Sequence, residues 1–306
     1  MRLVFCGTAA FAVPSLRACA AHHEVLAVVT RADRLGNRGQ PAPRPVADAA
    51  RELGLPLLTP VKIGAPEVVR GLLDLIPDCV VVAAYGQILP LSLLDPLPFG
   101  AVNVHASLLP RWRGASPIAH AILAGDAETG VSIMRMEAGL DTGPVYATMR
   151  VPIERDATTP SLTGVLADLG ASELVAVLDA LEHGSAVATP QPADGVTYAP
   201  RLRREDGRVD WAARAAVDVD RMVRALQPWP GVVAPIDGVD VQIQSGAPVR
   251  IGPGAAPGSV AGRERDSVVI ATIDGGYRVD LITPPGKRAM TPAAWMRGRR
   301  SGEAGT

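Results

Sequence analysis

Lysine is almost missing from these 306 residues: only Lys62 and Lys287 occur, and arginine carries nearly all of the positive charge. Cysteine is nearly as scarce. Cys6, Cys19 and Cys79 are odd in number and share no short ligand spacing, which argues against a disulfide framework and a zinc site. The N-terminus MRLVFCGTAAF runs into a short apolar stretch and a glycine turn, without the basic start, apolar core and cleavage site of a secretory signal. No stretch approaches the roughly 20 apolar residues that span a bilayer. These absences lead us to expect a cytoplasmic, metal-free protein with no membrane partner. The first apolar stretch ends in Cys6-Gly7-Thr8-Ala9-Ala10 and not in a Gly-x-Gly-x-x-Gly turn, and there is no Gly-Lys-Ser/Thr. Dinucleotide and P-loop chemistry therefore lose their usual phosphate cradles. Internal repeats and low-complexity blocks are missing too.

What is present is the composition of a folded enzyme-sized protein, 48% hydrophobic and 20% charged. The length exceeds what one core usually organises, so two domains are expected. Net charge is only −1, but residues 201–306 hold 16 Lys+Arg against 12 Asp+Glu, so the acidic excess lies in front and the basic excess in the tail. That asymmetry points weakly to an anionic partner for the tail, and a solvated surface explains it as simply.

The first half alternates β-branched runs with amphipathic stretches. Leu3–Phe5, Val25–Val29, Leu55–Leu58, Cys79–Ala83 and Val102–Val104 read as strands, and Val13–Ala21, Val46–Leu53 and Pro66–Leu75 as helices. This spacing predicts right-handed crossovers and a doubly wound, Rossmann-like α/β sheet. Further strands are expected at Thr129–Met136 and Pro144–Val151, joined by a Gly-rich turn, with a helix over Ser161–Glu182. Residues 184–208 are rich in Pro, Gly and charge and read as a linker. We place the boundary near 205, giving a first domain over 1–204 and a second over 205–306. The tail shows a short helix and brief strands broken by Gly and Pro, which predicts a small β-barrel resembling the oligonucleotide-binding type.

The informative segment is Ala101–Pro117, AVNVHASLLPRWRGASP. Asn103 and His105, two apart at the end of a predicted strand, face the same side and sit at the carboxyl end where open α/β sheets hold ligands. A structural Asn and His beside a loop would show the same spacing. Asp141, in the turn between two later strands, adds a carboxylate, although Asp-Thr-Gly alone is usually only a turn. Together the three supply an amide donor, an imidazole and a carboxylate.

NVHASLLPRWRGASPI resembles the signature of the 10-formyltetrahydrofolate-dependent transformylases. The resemblance implies that Asn103, His105 and Asp141 are catalytic and that Ser107, Leu108, Leu109 and Pro110 line the folate site. Tyr85, Gln87, Ile88 and Leu89, in YGQILP, resemble a further folate-pocket segment of the branch that acts on initiator methionyl-tRNA. CGTAAFAVPSL, AILAGDAETGVSIMRMEAGLDTGPV, Asp210-Trp211, QPWPG and GKRAM extend the likeness to that branch over nearly the whole chain. It implies 10-formyltetrahydrofolate as a consumed co-substrate without a metal, initiator methionyl-tRNA as acceptor, and a monomer. It also implies tRNA contacts by Lys287 and Arg288 and by the loop RADRLGNRGQPAPRP, where Arg31, Arg34, Arg38 and Arg44 are basic. Gln40 and Pro41 stand where lysines are common in such loops. A transformylase acting on glycinamide ribonucleotide or an amino sugar would share the catalytic residues without the basic β-rich tail. An inactive transformylase fold that only binds tRNA is the reading from outside enzymology, and the intact Asn103, His105 and Asp141 argue against it.

Overall fold

The β-branched runs of the first hundred residues form β1 (Arg2–Gly7), β2 (Glu24–Val29), β3 (Leu57–Leu58), β4 (Cys79–Ala83) and β5 (Ala101–His105) in the computed structural model, which describes residues 1–32 and 44–303. Successive strands are spaced by α1 (Val13–His22), α2 (Pro45–Glu52), α3 (Pro66–Leu73) and α4 (Leu91–Leu94). The first three of these helices carry Pro at N1 or N2, where a missing N–H costs no hydrogen bond and the fixed φ suits the first turn. After β6 (Arg113–Gly114) and α5 (Pro117–Ala124), two longer strands follow: β7 (Glu128–Arg135) and β8 (Val145–Pro152). The seven-stranded sheet has the order β3-β2-β1-β4-β5-β7-β8, parallel through β5 and antiparallel at β7 and β8. The doubly wound parallel core anticipated from sequence is thus present, with an antiparallel edge.

All five residues of β4 are buried, as the unbroken apolar run of a parallel strand requires, and so are all five of β5, where Asn103 and His105 interrupt the run. One core cluster joins Val4, Cys6 and Val29 to Val80, Val82, Leu72 and Leu93. α6 (Thr159–Glu182) buries a stripe that includes Leu162, Leu166, Gly170, Leu174, Leu178 and Leu181 at spacings of three and four. Gly170 is required there by close approach: a Cβ would stand 2.8 Å from Val104 Cγ1 of β5. At 24 residues and a mean hydropathy of 1.5, α6 is long and apolar enough to cross a membrane by length and composition, contrary to the expectation that no stretch would be. Its buried stripe is that of a core helix.

The chain divides into two compact units. The first comprises Met1–Pro117, Glu128–Pro152 and Leu162–Pro200; the second comprises Ile118–Ala127, Ile153–Ser161 and Arg201–Thr306. Two short segments from the first 200 residues therefore belong with the tail, a discontinuity that one boundary near 205 does not describe. Residues 184–208, read as a linker, are also more ordered than that word implies. Within them β9 (Tyr198–Ala199) pairs in parallel with β6. Proline and glycine content reports local conformation only and is blind to a backbone partner 85 residues away.

In the second unit α7 (Ala216–Ala225) is followed by β10 (Val232–Ile236), β11 (Val239–Val249), β12 (Val260–Arg263), β13 (Val268–Ala271), β14 (Gly276–Thr283) and α8 (Pro292–Glu303). The five strands form an antiparallel sheet in the order β10-β11-β14-β13-β12. β10 and β11 are joined by Asp237-Gly238, both at positive φ (49° and 73°), the two-residue hairpin turn that matches strand twist. Trp211, nearly fully buried, donates its indole N–H to the Pro235 carbonyl at 2.9 Å, and Gln227 donates to the Val223 and Gln244 carbonyls.

Candidate active site

β5 sits between parallel β4 and antiparallel β7, and its last residues project from the carboxyl edge of the sheet. Asn103 pairs with Val82 and Met134 across the ladders, and His105 pairs with Ser132. Both side chains are buried and, two apart on a strand, lie on the same face. At the carboxyl end of the sheet, where open α/β folds hold their ligands, the Asn103 amide is suited to a ligand that brings an oxygen.

His105 Nε2 lies 3.0 Å from the Trp112 carbonyl oxygen. That oxygen only accepts, so Nε2 carries a hydrogen and Nδ1 is the nitrogen turned towards Asp141. Nδ1 stands 3.7 Å from Asp141 Oδ2, within ion-pair reach but beyond hydrogen-bond length. The same Oδ2 accepts the Gly114 N–H at 2.8 Å. Asp141 is at φ 51°, a left-handed conformation that Asp adopts more readily than most residues, and the loop is held there by side-chain bonds. The amide nitrogen of Gln191 donates to the carbonyls of Asp141 and Gly143, each at 2.8 Å, and its oxygen accepts from Arg113 Nε and Nη2 at 3.1 and 2.6 Å.

The turn after β5 is equally determined. Ser107 Oγ donates to the Arg111 carbonyl at 2.6 Å, and Ser132 Oγ donates to the Ser107 carbonyl while accepting the Leu109 N–H. The Leu109–Pro110 peptide is cis. Beyond it, Gly114 is at φ 124°, and a Cβ there would stand 2.6 Å from the Ala199 carbonyl oxygen, so only glycine fits. Asn103, His105, Asp141 and Ser107 to Pro110 are thus brought into one region of the first unit.

The second folate segment divides by environment. Tyr85 and Leu89 belong to the buried core cluster, and burial pushes the Tyr85 phenol well above its ordinary value. The Tyr85 hydroxyl is buried with no hydrogen-bond partner among the described residues. Gln87 accepts the Ile63 N–H at 3.0 Å and donates to the Val61 carbonyl, while Ile88 is 92% exposed. Of the basic residues anticipated for tRNA, Arg34 and Arg38 lie outside the described residues. Arg44 precedes α2, and Lys287 and Arg288 lie exposed in the turn between β14 and α8.

Sequence reasoning missed Gln191, Thr197 and Ala199, which lie in the supposed linker, and Ser132, which lies inside a strand. The available signals were the prolines at 190 and 192, which fix an extended backbone on either side of Gln191, and a lone hydroxyl in an apolar run.

An amide, an imidazole and a carboxylate thus meet at the end of a central strand of an open α/β sheet, and comparison with known proteins gives the class of the chain. The family model described as Formyl transferase matches residues 1–178, and that described as Formyl transferase, C-terminal domain, matches residues 201–300. A methionyl-tRNA formyltransferase of Rhodococcus erythropolis is 46% identical over 303 residues, covering 98% of this chain and 97% of its own. Among solved structures, the sugar 3N-formyl transferase WlaRD superposes with a TM-score of 0.68 at 17% identity, over 94% of this chain and 99% of that one. HypX of Aquifex aeolicus superposes with a TM-score of 0.67 at 20% identity, over 99% of this chain, which spans about half (48%) of the HypX chain. The chain belongs to the methionyl-tRNA formyltransferase family.

Proposed function

We infer that the chain transfers the formyl group of 10-formyltetrahydrofolate to the α-amino group of initiator methionyl-tRNA, and that Asn103, His105 and Asp141 carry the chemistry. The amine nitrogen forms a bond to the formyl carbon, the bond from that carbon to the folate N10 breaks, and the amine loses the proton that N10 gains. Negative charge develops on the formyl oxygen. The Asn103 amide and a protonated His105, with Asp141 favouring the imidazolium and Nδ1 as the nitrogen not already given to the Trp112 carbonyl, are the donors suited to it, since donors fixed in a buried site need no reorganisation as charge appears. Asp141 accepts the amine's proton directly or through water. The observation that carries this reading is the buried Asn103 and His105 on one face of β5 with the Asp141 carboxylate 3.7 Å from the ring.

Ser107, Leu108, Leu109 and Pro110, with Tyr85, Gln87, Ile88 and Leu89, are assigned to the folate, apolar side chains meeting the pterin and backbone groups its ring edges. Residues 1–204 are assigned to catalysis and 205–306 to tRNA, with Arg34, Arg38, Arg44, Lys287 and Arg288 as backbone contacts of a monomeric cytoplasmic enzyme. The ribonucleotide alternative is tested with the same reagents. Labelled 10-formyltetrahydrofolate is offered methionyl-initiator tRNA, free methionine and glycinamide ribonucleotide in parallel. Label is expected on the tRNA alone, and comparable labelling of either small amine would overturn the acceptor assignment.

A further inference from the structure

We propose that residues 189–199 form a strap that sets the position of Asp141 against His105, with Gln191 and Thr197 as positioning residues for formyl transfer. The proposal rests on the assignment of His105 and Asp141 to the chemistry.

The strap touches both arms of the site. On the Asp141 side, Thr189 exchanges two backbone hydrogen bonds with Val145, 2.8 and 2.9 Å, just beyond the Asp141 turn. Gln191 then fills both donor positions of its amide with the Asp141 and Gly143 carbonyls and both acceptor positions with Arg113. All four capacities are used, and the reverse orientation of the amide would face oxygen to two carbonyls and NH2 to a guanidinium. On the His105 side, Thr197 Oγ1 accepts the Trp112 N–H at 2.9 Å and the Thr197 carbonyl accepts the Arg113 N–H at 2.9 Å. The Ala199 carbonyl accepts from Ala115 at 2.8 Å and from Ser116 at 3.2 Å.

Those contacts hold the atoms that hold the catalytic pair. Trp112 supplies the carbonyl on His105 Nε2, and Gly114 supplies the N–H on Asp141 Oδ2. Asp141 and Trp112, both non-glycine, have positive φ, and Gly114 beside them does too, so two strained backbone positions meet at one place. Such conformations persist only where surrounding bonds over-determine them. Gln191 bridges the two arms, since one amide binds the Asp141 loop through its nitrogen and Arg113 through its oxygen. A displacement of about 1 Å at a reacting group can cost on the order of 10²-fold in rate, so removing this bridge is expected to act on the chemical step.

The experiment measures kcat and both KM values for Gln191→Ala, Gln191→Glu, Thr197→Val and Thr197→Ser in the full chain. Gln191→Glu keeps an acceptor for Arg113 but replaces the two donors by a carboxylate facing two carbonyls. Thr197→Val keeps shape and loses the hydroxyl, whereas Thr197→Ser keeps it. Both Gln191 variants and Thr197→Val are expected to lose roughly 10- to 100-fold in kcat with little change in either KM, and Thr197→Ser to stay close to the parent. In an Asp141→Asn background the further loss from Gln191→Ala should nearly vanish, because the two act through one group. Unchanged kcat in Gln191→Ala, or a Thr197→Ser as impaired as Thr197→Val, overturns the strap. Full loss from Gln191→Ala in the Asp141→Asn background overturns it as well. If Asp141→Asn is itself fully active, the failure lies in the catalytic assignment.

Discussion

Around the end of β5 several polar side chains have named partners at short range: His105 on the Trp112 carbonyl, Asp141 on Gly114, Ser107 on Arg111, Gln191 on two carbonyls and the Arg113 guanidinium. At the turn between β14 and α8, Lys287 and Arg288 project to solvent from a backbone at positive φ at Gly286. The contrast follows from what each region is proposed to do. Transition-state stabilisation needs donors fixed to within a fraction of an ångström, which only a bonded, buried setting provides. Attraction of a phosphate backbone depends on charge and falls off gradually, so exposed, flexible side chains suffice, and each is replaceable. The two regions should therefore fail differently when altered.

The largest effect is expected in the first region. Asn103→Ala should lower kcat by roughly 10²- to 10³-fold in a folded protein, and His105→Ala and Asp141→Ala at least as much. The double variant of Asn103 and His105 should cost far less than the product of the single losses, since the groups act as a unit. Steady-state turnover on charged initiator tRNA checks this, and near-parental turnover in any one variant removes that residue from the mechanism.

A smaller effect is expected from Gly170→Ala, which touches the site only through packing. The new methyl would press on Val104, between Asn103 and His105, at 2.8 Å. Overpacking costs about 1–3 kcal/mol, while replacing Gly by Ala in a helix interior returns up to about 1 kcal/mol. The net is a loss of stability, read as a lower Tm by thermal unfolding. Adding Val104→Ala should restore part of it by making room, whereas a Tm equal to or above the parent's would show that the helix gives way freely.

The same contrast explains what was legible in the sequence. Val80, Val81 and Val82 give β4 away because burial on both faces needs a continuous apolar run, and α6 shows its stripe at spacings of three and four. Asn103 and His105 were visible because strand geometry puts them together. α5 was not seen: PIAHAILA is apolar around much of its circumference, so no periodicity separates it from a buried strand. Gln191 and Thr197 were hidden for another reason. Their roles are fixed by hydrogen bonds to residues 50 and 85 positions away, and the local composition, Pro, Gly and polar, is that of any loop. Lys287 and Arg288 are readable as charges, but a sequence carries no signal for which exposed charge meets a phosphate.

The smallest expected effect is in the tail. Cutting the chain near residue 205 is a poor test, because Ile118–Ala127 and Ile153–Ser161 belong to the second unit. Thr159 Oγ1 donates to the Ala225 carbonyl at 2.6 Å and Arg224 Nη1 to the Ala157 carbonyl at 3.0 Å, and truncation would strip the Ile153–Ser161 segment of these partners. Point variants avoid that damage. Lys287→Ala with Arg288→Ala removes two charges from an exposed turn, where neither side chain is part of a buried network, so folding and kcat should be unchanged. If both side chains neutralise phosphates, each releases close to one counterion on binding, and the slope of log affinity for tRNA against log salt should flatten by roughly one unit per lost contact. The loss of affinity should then be largest at low salt and shrink as salt rises. Titrations of charged initiator tRNA at several salt concentrations read the slope directly. A parallel shift of the line with its slope intact would mean that these two residues do not touch the backbone, and that the basic excess of the tail acts elsewhere on its surface.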